Sequence, residues 1–328
     1  MKAVQITEFG GPEVLKVTEI EEPTPKENQV KVKLYATGLN PSENYTISGT
    51  YAFNKPDLPY VPGYDGAGVI EEIGSSVENV KVGDRVYLSA FSKKDSTGTY
   101  AEKVVINADN VYHLPDHMTF NEGAALGIAA FTAYSALHQK ARIKAGEIVL
   151  IHGASGAVGT MAVQIAKAMG SVVIGTSSTE EGRENILKIG ADYAIPHVTD
   201  ENKEELLKIT DNKGPDVIIE FLANVNLETD SKVIAKFGRI IIVGNRGSIE
   251  FTPRNLMANE ATVTGMAFTH PNEDILREVE HGINALISTG YLKPQIGRKF
   301  TLDEAPEAHE HLMGSSGDGR TIFEIVKE

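Results

Sequence analysis

The first 120 or so residues contain short runs in which apolar and polar positions alternate. Three such runs are residues 30–36, 68–73 and 84–88. A period of two is typical of strands that bury one face, and Gly and Pro clusters between such runs mark turns. Val61-Pro62-Gly63 is one of these clusters. This part of the chain is therefore predicted to form a β-rich, barrel-like domain.

The period changes after Asn121, where apolar runs begin to alternate with stretches of helical periodicity. A repeated strand and helix unit predicts a parallel, doubly wound α/β sheet. The predicted strands are residues 148–152, 172–176, 193–195, 217–220 and 240–243, and the predicted helices begin near Val158, Glu180, Asp200 and Leu227.

The end of the chain predicts one more helix, over residues 273–286, and a closing strand over residues 321–326. We expect both to pack back on the β-rich domain, so that the parallel-sheet domain is an insertion in it. The predicted divisions are residues 1–122 for the first part of the β-rich domain, 123–264 for the insertion and 265–328 for the return.

Charge and cysteine content narrow the possible functions. The chain has 328 residues, a formal net charge of −14 and no cysteine. The lack of cysteine excludes disulfides, iron–sulfur clusters, a thiolate nucleophile and cysteine-ligated zinc. An acidic surface repels phosphate backbones, so nucleic acid is not expected as a partner. No apolar run reaches the ~18 residues that span a bilayer, and we expect a cytoplasmic protein without a membrane partner.

Two pairs of histidines are close enough in sequence to be candidate metal ligands. His113 and His117 are four apart, but Pro115 between them disfavours a helix that would bring them together. His309 and His311 are two apart, and in the helix predicted over residues 303–313 they lie on different sides. The sequence therefore predicts solvated surface histidines and no metal site.

A glycine-rich turn follows the first strand of the inserted domain. It reads Gly153-Ala154-Ser155-Gly156-Ala157-Val158-Gly159, and a helical pattern follows over residues 160–169. Ala154 replaces the first glycine of G-x-G-x-x-G, Gly156 allows the backbone to approach a pyrophosphate, and Gly159 allows close packing of helix on strand. The helix N-terminus adds N–H donors and partial positive charge. A dinucleotide site is predicted, with a tight turn that binds no ligand as the alternative.

The next strand bears on the choice of dinucleotide. An NAD site usually carries Asp or Glu at the end of this strand to accept from the ribose 2′-OH. Here the strand ends Gly175-Thr176-Ser177-Ser178, and Arg183 follows in the next helix. Hydroxyls and a guanidinium suit a 2′-phosphate, so NADPH is predicted. Glu180 and Glu181 argue the other way, although acidic residues also stabilise the start of a helix.

Several separated stretches together resemble the zinc-free quinone oxidoreductase group of the medium-chain reductases, and within it the zeta-crystallin branch. The resemblance covers essentially the whole chain. It implies a GroES-like β-rich catalytic domain and a Rossmann domain. The matching stretches are residues 8–15, 38–41, 48–51, 131–134, 152–159, 222–227 and 243–247.

The zinc-dependent alcohol dehydrogenases resemble the same scaffold but carry cysteine ligands and a Gly-His-Glu motif. This chain has Gly63-Tyr64-Asp65 in that place and no cysteine. The zinc route to an alkoxide is therefore missing, and alcohol oxidation is not expected.

The resemblance also implies individual roles. Asn40, Tyr45 and Thr132 match family positions around the nicotinamide. Asn40, Tyr45 and Tyr51 are expected to orient the substrate carbonyl or donate a hydrogen bond to it. Ala157 departs from the glycine that the family often has there. The expected cofactor contacts are Tyr51, Thr132, Ser155, Gly156, Ala157, Val158, Ser178, His197, Asn226, Val243, Gly244, Asn245, Arg246, Met266, Ala267, Phe268 and Arg320.

The implied reaction is hydride transfer from NADPH to a quinone in the cleft between the domains, without zinc. Reduction of an activated C=C bond in an enal, enone or enoyl thioester is the alternative on the same scaffold. A cofactor-binding protein with an RNA-binding or crystallin-like structural role is the alternative outside enzymes. The resemblance further implies a homodimer or a homotetramer.

Overall fold

The structure, a computed structural model, describes residues 1–51, 55–90, 96–267, 273–314, 317 and 319–327. The strands are β1 (Lys2–Gln5), β2 (Lys16–Glu19), β3 (Gln29–Gly38), β4 (Asp65–Ile73), β5 (Arg85–Ser89), β6 (Lys103–Asn107), β7 (Val111–His113), β8 (Ile148–Ile151), β9 (Val172–Thr176), β10 (Tyr193–Ile195), β11 (Val217–Glu220), β12 (Arg239–Ile242), β13 (Thr262–Gly265), β14 (Ile296–Phe300) and β15 (Arg320–Glu324). The α-helices are α1 (Pro41–Ile47), α2 (Phe120–Tyr134), α3 (Ala157–Ala168), α4 (Glu180–Lys188), α5 (Lys203–Ile209), α6 (Ala223–Val233), α7 (Pro253–Asn259), α8 (Glu273–Ser288) and α9 (Ala305–Gly314).

The β-rich part of the chain forms a seven-stranded sheet. Its order is β14-β15-β3-β4-β5-β7, and β6 pairs with β3 as well. All of these pairs are antiparallel except β14 with β15. Strands β14 and β15 come from the end of the chain and join this sheet. The closing strand therefore packs on the first domain, as the sequence predicts. The domain boundaries themselves stay a prediction.

The inserted part forms a six-stranded sheet in which every pair is parallel. Its order is β10-β9-β8-β11-β12-β13, so the winding direction reverses between the neighbouring strands β8 and β11. Ligands of such sheets bind outside the carboxyl ends of the strands at this switch point. The predicted doubly wound α/β fold is confirmed, and the glycine-rich turn after β8 stands at the switch point.

Helices cover both faces of the parallel sheet, as a sheet of buried apolar strands requires. On one face, α2, α3 and α8 enclose a core that includes Ile151, Met161 and Ile283. On the other face, Ile174 and Ile240 belong to a second core. Helix α2 also packs on β3, β4 and β5 and so connects the two sheets.

The elements missed by the sequence patterns are short or polar. Helix α1 has seven residues, begins with Pro41 after an Asn40 cap, and buries little apolar surface. Helices predicted near Asp200 and Leu227 begin at Lys203 and Ala223 instead. Among the described helices, none is both long enough and apolar enough to cross a bilayer.

One prediction about histidine is wrong. His309 is fully buried, with Nδ1 2.5 Å from the Asn44 Oδ1 and Nε2 3.1 Å from the Tyr100 hydroxyl. Burial lowers its pKa to about 4, so it is neutral. The helix predicted over residues 303–313 is present as α9. The spacing of its residues does not reveal that α9 lies against α1. His113 and His117 are exposed, as predicted.

Candidate cofactor and active site

The glycine-rich turn is held by the strand beside it. The Ala154 N–H donates to the Thr176 carbonyl at 2.9 Å, and the Gly153 N–H donates to the Thr176 hydroxyl at 3.2 Å. Gly156 is the N-cap of α3 and has extended backbone angles. The first N–H groups of α3 therefore point out of the turn toward the carboxyl ends of the strands, the position of a bound pyrophosphate.

The two glycines of the turn have different surroundings. A Cβ on Gly159 would lie 2.4 Å from the Gly153 carbonyl oxygen and 2.6 Å from the Ala154 Cα. A Cβ on Gly156 would meet only the Gly153 oxygen, at 3.3 Å. Gly159 is thus needed for the packing of helix on strand, whereas the space at Gly156 is open on the ligand side. The close packing at Gly159 is the role predicted from the motif, and contact of Gly156 with a pyrophosphate stays a prediction.

The end of β9 gathers polar side chains beside the turn. The Ser155 hydroxyl donates to the Ser177 hydroxyl at 3.2 Å, and Ser178 is exposed. The Arg183 guanidinium donates to the Ser177 carbonyl at 3.1 Å and pairs with the Glu180 carboxylate. Glu180 is therefore engaged with a cation in the first turn of α4.

His197 completes this group. Its Nδ1 lies 2.8 Å from the Thr176 hydroxyl. Burial lowers the pKa of His197, and the positive charges of His152 and Arg183 act in the same direction. An incoming phosphate would reverse that balance, because a nearby anion favours the protonated imidazole.

The other predicted cofactor residues lie at the ends of β11, β12 and β13. The Asn226 side chain donates to the Glu220 carboxylate. It therefore does not cap α6, which is the role that a polar residue near a helix start often has. The Arg246 backbone N–H donates to the Asn224 side chain at 2.8 Å. Phe268 lies outside the described residues. Val243 and Gly244 are partly buried, Met266 is partly buried, and Asn245, Arg246 and Ala267 are exposed.

The catalytic domain contributes two tyrosines. The rings of Tyr45 and Tyr51 stack with centroids 6.3 Å apart, and the Tyr51 N–H donates to the Tyr45 carbonyl at 3.0 Å. Burial raises the pKa of Tyr51, which keeps its hydroxyl protonated and able to donate. Thr132 is 7% exposed on α2.

Asp65 is the centre of a buried network between the sheets. Its Oδ1 accepts from the Ser89 hydroxyl at 2.7 Å and from the Ile128 N–H at 2.9 Å. Its Oδ2 accepts from the Asn40 amide at 3.0 Å and from the Arg320 guanidinium at 2.5 Å. The carboxylate is fully buried. A buried charge is tolerated only when it is paired and hydrogen-bonded, and the four donors meet that requirement.

The network explains a break in α2. Gly127 has a φ of 25°, and a Cβ there would lie 2.2 Å from the Asp65 carboxylate. Asp65 also takes the Ile128 N–H that the broken helix leaves without its usual acceptor.

The structure contradicts the phosphate role expected for Arg320. Its side chain is buried, and the guanidinium donates to Asn40 and Asp65. The neighbouring Gly319 does reach the turn, since its N–H donates to the Ser155 carbonyl at 3.1 Å. The Arg320 guanidinium is therefore engaged in the buried network, and only the backbone next to it reaches the turn.

Asn40 lies in the same network rather than at an open surface. It is 3% exposed, and its amide donates to Glu43 at 3.2 Å as well as to Asp65. Burial raises the pKa of Glu43 to about 7, although bonds from Tyr100 and the Asn40 backbone oppose this. Both amide hydrogens of Asn40 are thus used inside the protein.

A second buried cluster stands behind the end of β11. The His152 Nε2 lies 2.8 Å from the Asp230 carboxylate and 3.5 Å from the Glu220 carboxylate, and the three side chains are at most 3% exposed. Burial favours the neutral imidazole, but the charges of Asp230 and Glu220 outweigh it and raise the pKa of His152 to about 9. Burial also raises the pKa of Glu220 to about 7, and the Asp230 charge adds to that shift.

This cluster should make stability depend on pH. His152 has a folded pKa above its ordinary 6.5, so its contribution is present below pH 6.5 and is lost as the pH rises toward 9. Glu220, also shifted upward, acts in the same direction between about pH 4.5 and 7. The loss from His152 is limited to about 3 kcal/mol by the size of its shift. Chemical denaturation from pH 6 to 9 measures it.

The matched variants are Asp230→Asn and, on an exposed acid of α8, Asp274→Asn. Asp230→Asn removes the charge that raises the pKa of both His152 and Glu220, so its pH profile should be flatter than that of the wild type. Asp274→Asn should keep the wild-type slope. A wild-type stability that increases from pH 6.5 to 9 would contradict the assignment.

Two family models match the chain. One is described as an alcohol dehydrogenase GroES-like domain and matches residues 26–116, and the other is described as a zinc-binding dehydrogenase and matches residues 157–281. The quinone oxidoreductase of Homo sapiens is 45% identical over 325 residues, which cover 98% of this chain and 97% of that protein. The chain belongs to the quinone oxidoreductase family.

Solved structures agree with this assignment. The Escherichia coli quinone oxidoreductase complexed with NADPH aligns with a TM-score of 0.88 at 29% identity and covers 98% of this chain and 99% of that one. A quinone oxidoreductase from Pseudomonas syringae also aligns with a TM-score of 0.88, at 31% identity over 98% and 99% of the two chains. The family and the GroES-like and Rossmann fold that the sequence predicted are confirmed.

The zinc-ligand position of the scaffold does not fit zinc in this member of the quinone oxidoreductase family. Tyr64 stands where the alcohol dehydrogenases carry histidine, and it is 5% exposed with its hydroxyl 2.9 Å from the Thr46 hydroxyl. Asp65, next to it, is occupied by four donors, and the chain contains no cysteine.

The turn and the end of β9, in contrast, fit NADPH. The turn offers an open glycine and helix N–H groups, and Ser178, Arg183 and His197 lie at or beside the end of β9, where the sequence predicts a 2′-phosphate. No carboxylate occupies residues 176–178.

Sequence reasoning missed the residues that act across long chain separations. In the sequence, Asp65 stands out only as the third residue of the motif in which zinc-dependent relatives carry a ligand. A carboxylate at that position is the signal that could have identified Asp65 as a functional residue. The spacing of Asn40 and Glu43 is that of a capping box, a local signal that could have pointed to Glu43. Asp230 carries no local signal, because its partner His152 lies 78 positions away.

Proposed function

We propose that this chain transfers hydride from NADPH to a quinone, without a metal, in the cleft between its two domains. The observation that carries the proposal is the end of β9, where hydroxyls and two basic side chains lie beside the glycine-rich turn and no carboxylate follows the strand directly. The name of the human relative supports a quinone as the acceptor, and the E. coli relative solved with NADPH supports the cofactor.

NADPH, when bound, supplies a hydride from C4 of its nicotinamide. Ser155 to Val158 hold the pyrophosphate through the backbone of the turn, and Ser178, Arg183 and His197 hold the 2′-phosphate. The ends of β11, β12 and β13 lie across the switch point and hold the nicotinamide half. Catalysis then comes mainly from holding donor and acceptor in place.

The stacked pair Tyr45 and Tyr51 orients the quinone carbonyl, and a protonated phenol donates to the negative charge that develops on it. Asn40 acts from behind as a positioning residue, because its amide donors are used by Glu43 and Asp65. The reduced quinone oxygens take protons from water, so no dedicated acid is required.

A substrate panel tests the reaction. Steady-state rates with NADPH should be highest with 9,10-phenanthrenequinone and low with an enone and an enoyl thioester. If the quinone is not reduced while an enone or enoyl thioester is, the chain reduces activated C=C bonds instead. If no acceptor is reduced although NADPH binds, the non-catalytic alternative is favoured.

Arg183→Ala tests the 2′-phosphate site. Loss of one charged hydrogen-bond donor to phosphate should raise the KM for NADPH by about tenfold and leave the KM for NADH unchanged. Lys188→Ala, at the other end of α4, is the matched control and should change neither. Equal increases for both cofactors would place Arg183 outside the phosphate site.

We propose that the protein is a homodimer or homotetramer in the cytoplasm. Strand β13 pairs with β12 and forms one edge of the parallel sheet, and Thr262 and Gly265 on it are exposed. Unpaired edge groups are a template for a strand of another chain. Light scattering that shows a monomer would contradict this proposal.

Nucleic acid is not expected as a partner. Binding to AU-rich RNA at physiological ionic strength would contradict that expectation.

A further inference from the structure

Glu220 ends β11 and faces the segment that follows it. Its Oε1 accepts from the Leu222 backbone N–H and from the Asn226 side-chain amide, the latter at 3.2 Å. Asn226 lies on the first turn of α6, so one carboxylate oxygen fixes both the entry into the helix and the rotamer of a proposed cofactor ligand. Glu220 itself is fully buried and does not face the cofactor.

The other oxygen of Glu220 faces a buried ion pair. The Glu220 Oε2 lies 3.5 Å from the His152 Nε2, which in turn lies 2.8 Å from Asp230. His152 follows β8 directly, and Asp230 lies on α6 about one turn beyond Asn226. The pair therefore connects the strand that leads into the glycine-rich turn with the helix that carries Asn226.

Local packing alone does not require these groups. Apolar side chains of similar size would fill the space, and a buried ionic cluster contributes little to stability compared with them. What the charged cluster supplies to Glu220 is an attraction: at 3.5 Å its Oε2 forms an ion pair with His152 and not a hydrogen bond, while Oε1 keeps its bonds to the Leu222 N–H and the Asn226 amide. A carboxylate also holds an amide more firmly than a neutral acceptor does.

We propose that Glu220 is a positioning residue for the cofactor: held in place by His152 and Asp230, its carboxylate fixes the Asn226 amide so that the Asn226 carbonyl oxygen faces the nicotinamide half of NADPH. The inference rests on the proposed function only in that Asn226 contacts the cofactor. It adds three residues, His152, Glu220 and Asp230, that bind no ligand atom themselves.

The test is a double-mutant cycle on NADPH binding, measured by fluorescence titration without any acceptor, at a pH between the pKa of Glu220, about 7, and that of His152, about 9, where both groups are charged. Glu220→Gln keeps the shape but removes the charge, and Asn226→Ala removes the group that Glu220 holds. Each single variant should raise the Kd by about tenfold, as expected for a charge-assisted hydrogen bond. The double variant should also lie near tenfold rather than a hundredfold, because Glu220 acts through Asn226.

Two further readouts separate positioning from general stability. In steady-state kinetics, Glu220→Gln should raise the KM for NADPH with little change in kcat. Glu228→Gln is the matched control, since Glu228 lies on α6, the helix of Asn226, but accepts from the Thr252 N–H instead, and it should leave the Kd unchanged. If Glu220→Gln does not fold, Asp230→Asn, which weakens the hold on Glu220, is titrated in the same way.

Additive losses in the cycle, or a lower melting temperature with an unchanged Kd, would overturn the proposal. One equivalent of bound zinc in the purified protein would also overturn it, because the ligand atoms of His152, Glu220 and Asp230 lie within 4.8 Å of one another and would then form a metal site. The cycle uses no quinone, so a failed substrate panel leaves it intact.

Discussion

Replacing Arg320 with methionine should lower the free energy of unfolding by about 3 to 5 kcal/mol. Methionine keeps the buried aliphatic volume but leaves the fully buried Asp65 carboxylate without its cation. The remaining donors, from Asn40, Ser89 and Ile128, do not neutralise that charge. Thermal and denaturant unfolding measure the effect, which corresponds to a drop in melting temperature of roughly 6 to 20 °C.

Two variants make this result specific. Arg277→Met removes an exposed ion pair with Asp274 and should change stability by no more than about 0.5 kcal/mol. Asp65→Asn combined with Arg320→Met removes both buried charges and should recover part of the loss, because the cost lies in the unpaired charge. A stable Arg320→Met protein with a selectively weaker affinity for NADPH would show that the side chain reaches the phosphates.

Five of the six strands of the parallel sheet, β8 to β12, could be predicted from the sequence because each is a short, mainly apolar run, whereas β13 (Thr262–Gly265) is polar and lies at the edge. Strands β9, β10 and β11 have the predicted bounds, and β8 and β12 differ by one residue. Both faces of such strands are buried, so the pattern depends on the strand itself and not on a particular partner.

The glycine-rich turn could also be predicted, since its requirements lie within seven consecutive residues. The close approach at Gly159 and the open space at Gly156 are properties of the local backbone. The end of β9 follows the same logic, because Ser178 and Arg183 are near in sequence to the strand that positions them.

The buried networks could not be predicted, because their bonds join distant segments. The ion pair of Arg320 with Asp65 spans 255 positions, and the contact of His309 with Tyr100 spans 209. Packing of the whole fold decides which face of β15 or α9 contacts the N-terminal part of the chain. The resemblance implies that Arg320 reaches the phosphates, but it does not fix the direction of the Arg320 side chain.

Gly159→Ala should both destabilise the protein and abolish useful NADPH binding. Its Cβ would lie less than 3 Å from three backbone atoms of Gly153 and Ala154, and the backbone has no rotamer with which to avoid it. Helix α3 must move away from β8, at a cost of about 3 kcal/mol, the upper part of the range for an extra methyl group in a packed core. The displaced N–H groups should weaken NADPH by at least about a hundredfold, since several phosphate bonds are lost together.

Gly156→Ala in the same turn separates packing from ligand contact. Gly156 has extended backbone angles, and its added Cβ meets only one oxygen, at 3.3 Å, so unfolding should change by no more than about 0.5 kcal/mol. NADPH should still bind more weakly, because the Cβ occupies the side from which the pyrophosphate approaches. If both variants lose stability equally, the turn is mainly a packing device; if Gly156→Ala binds NADPH as the wild type does, the pyrophosphate does not lie against this glycine.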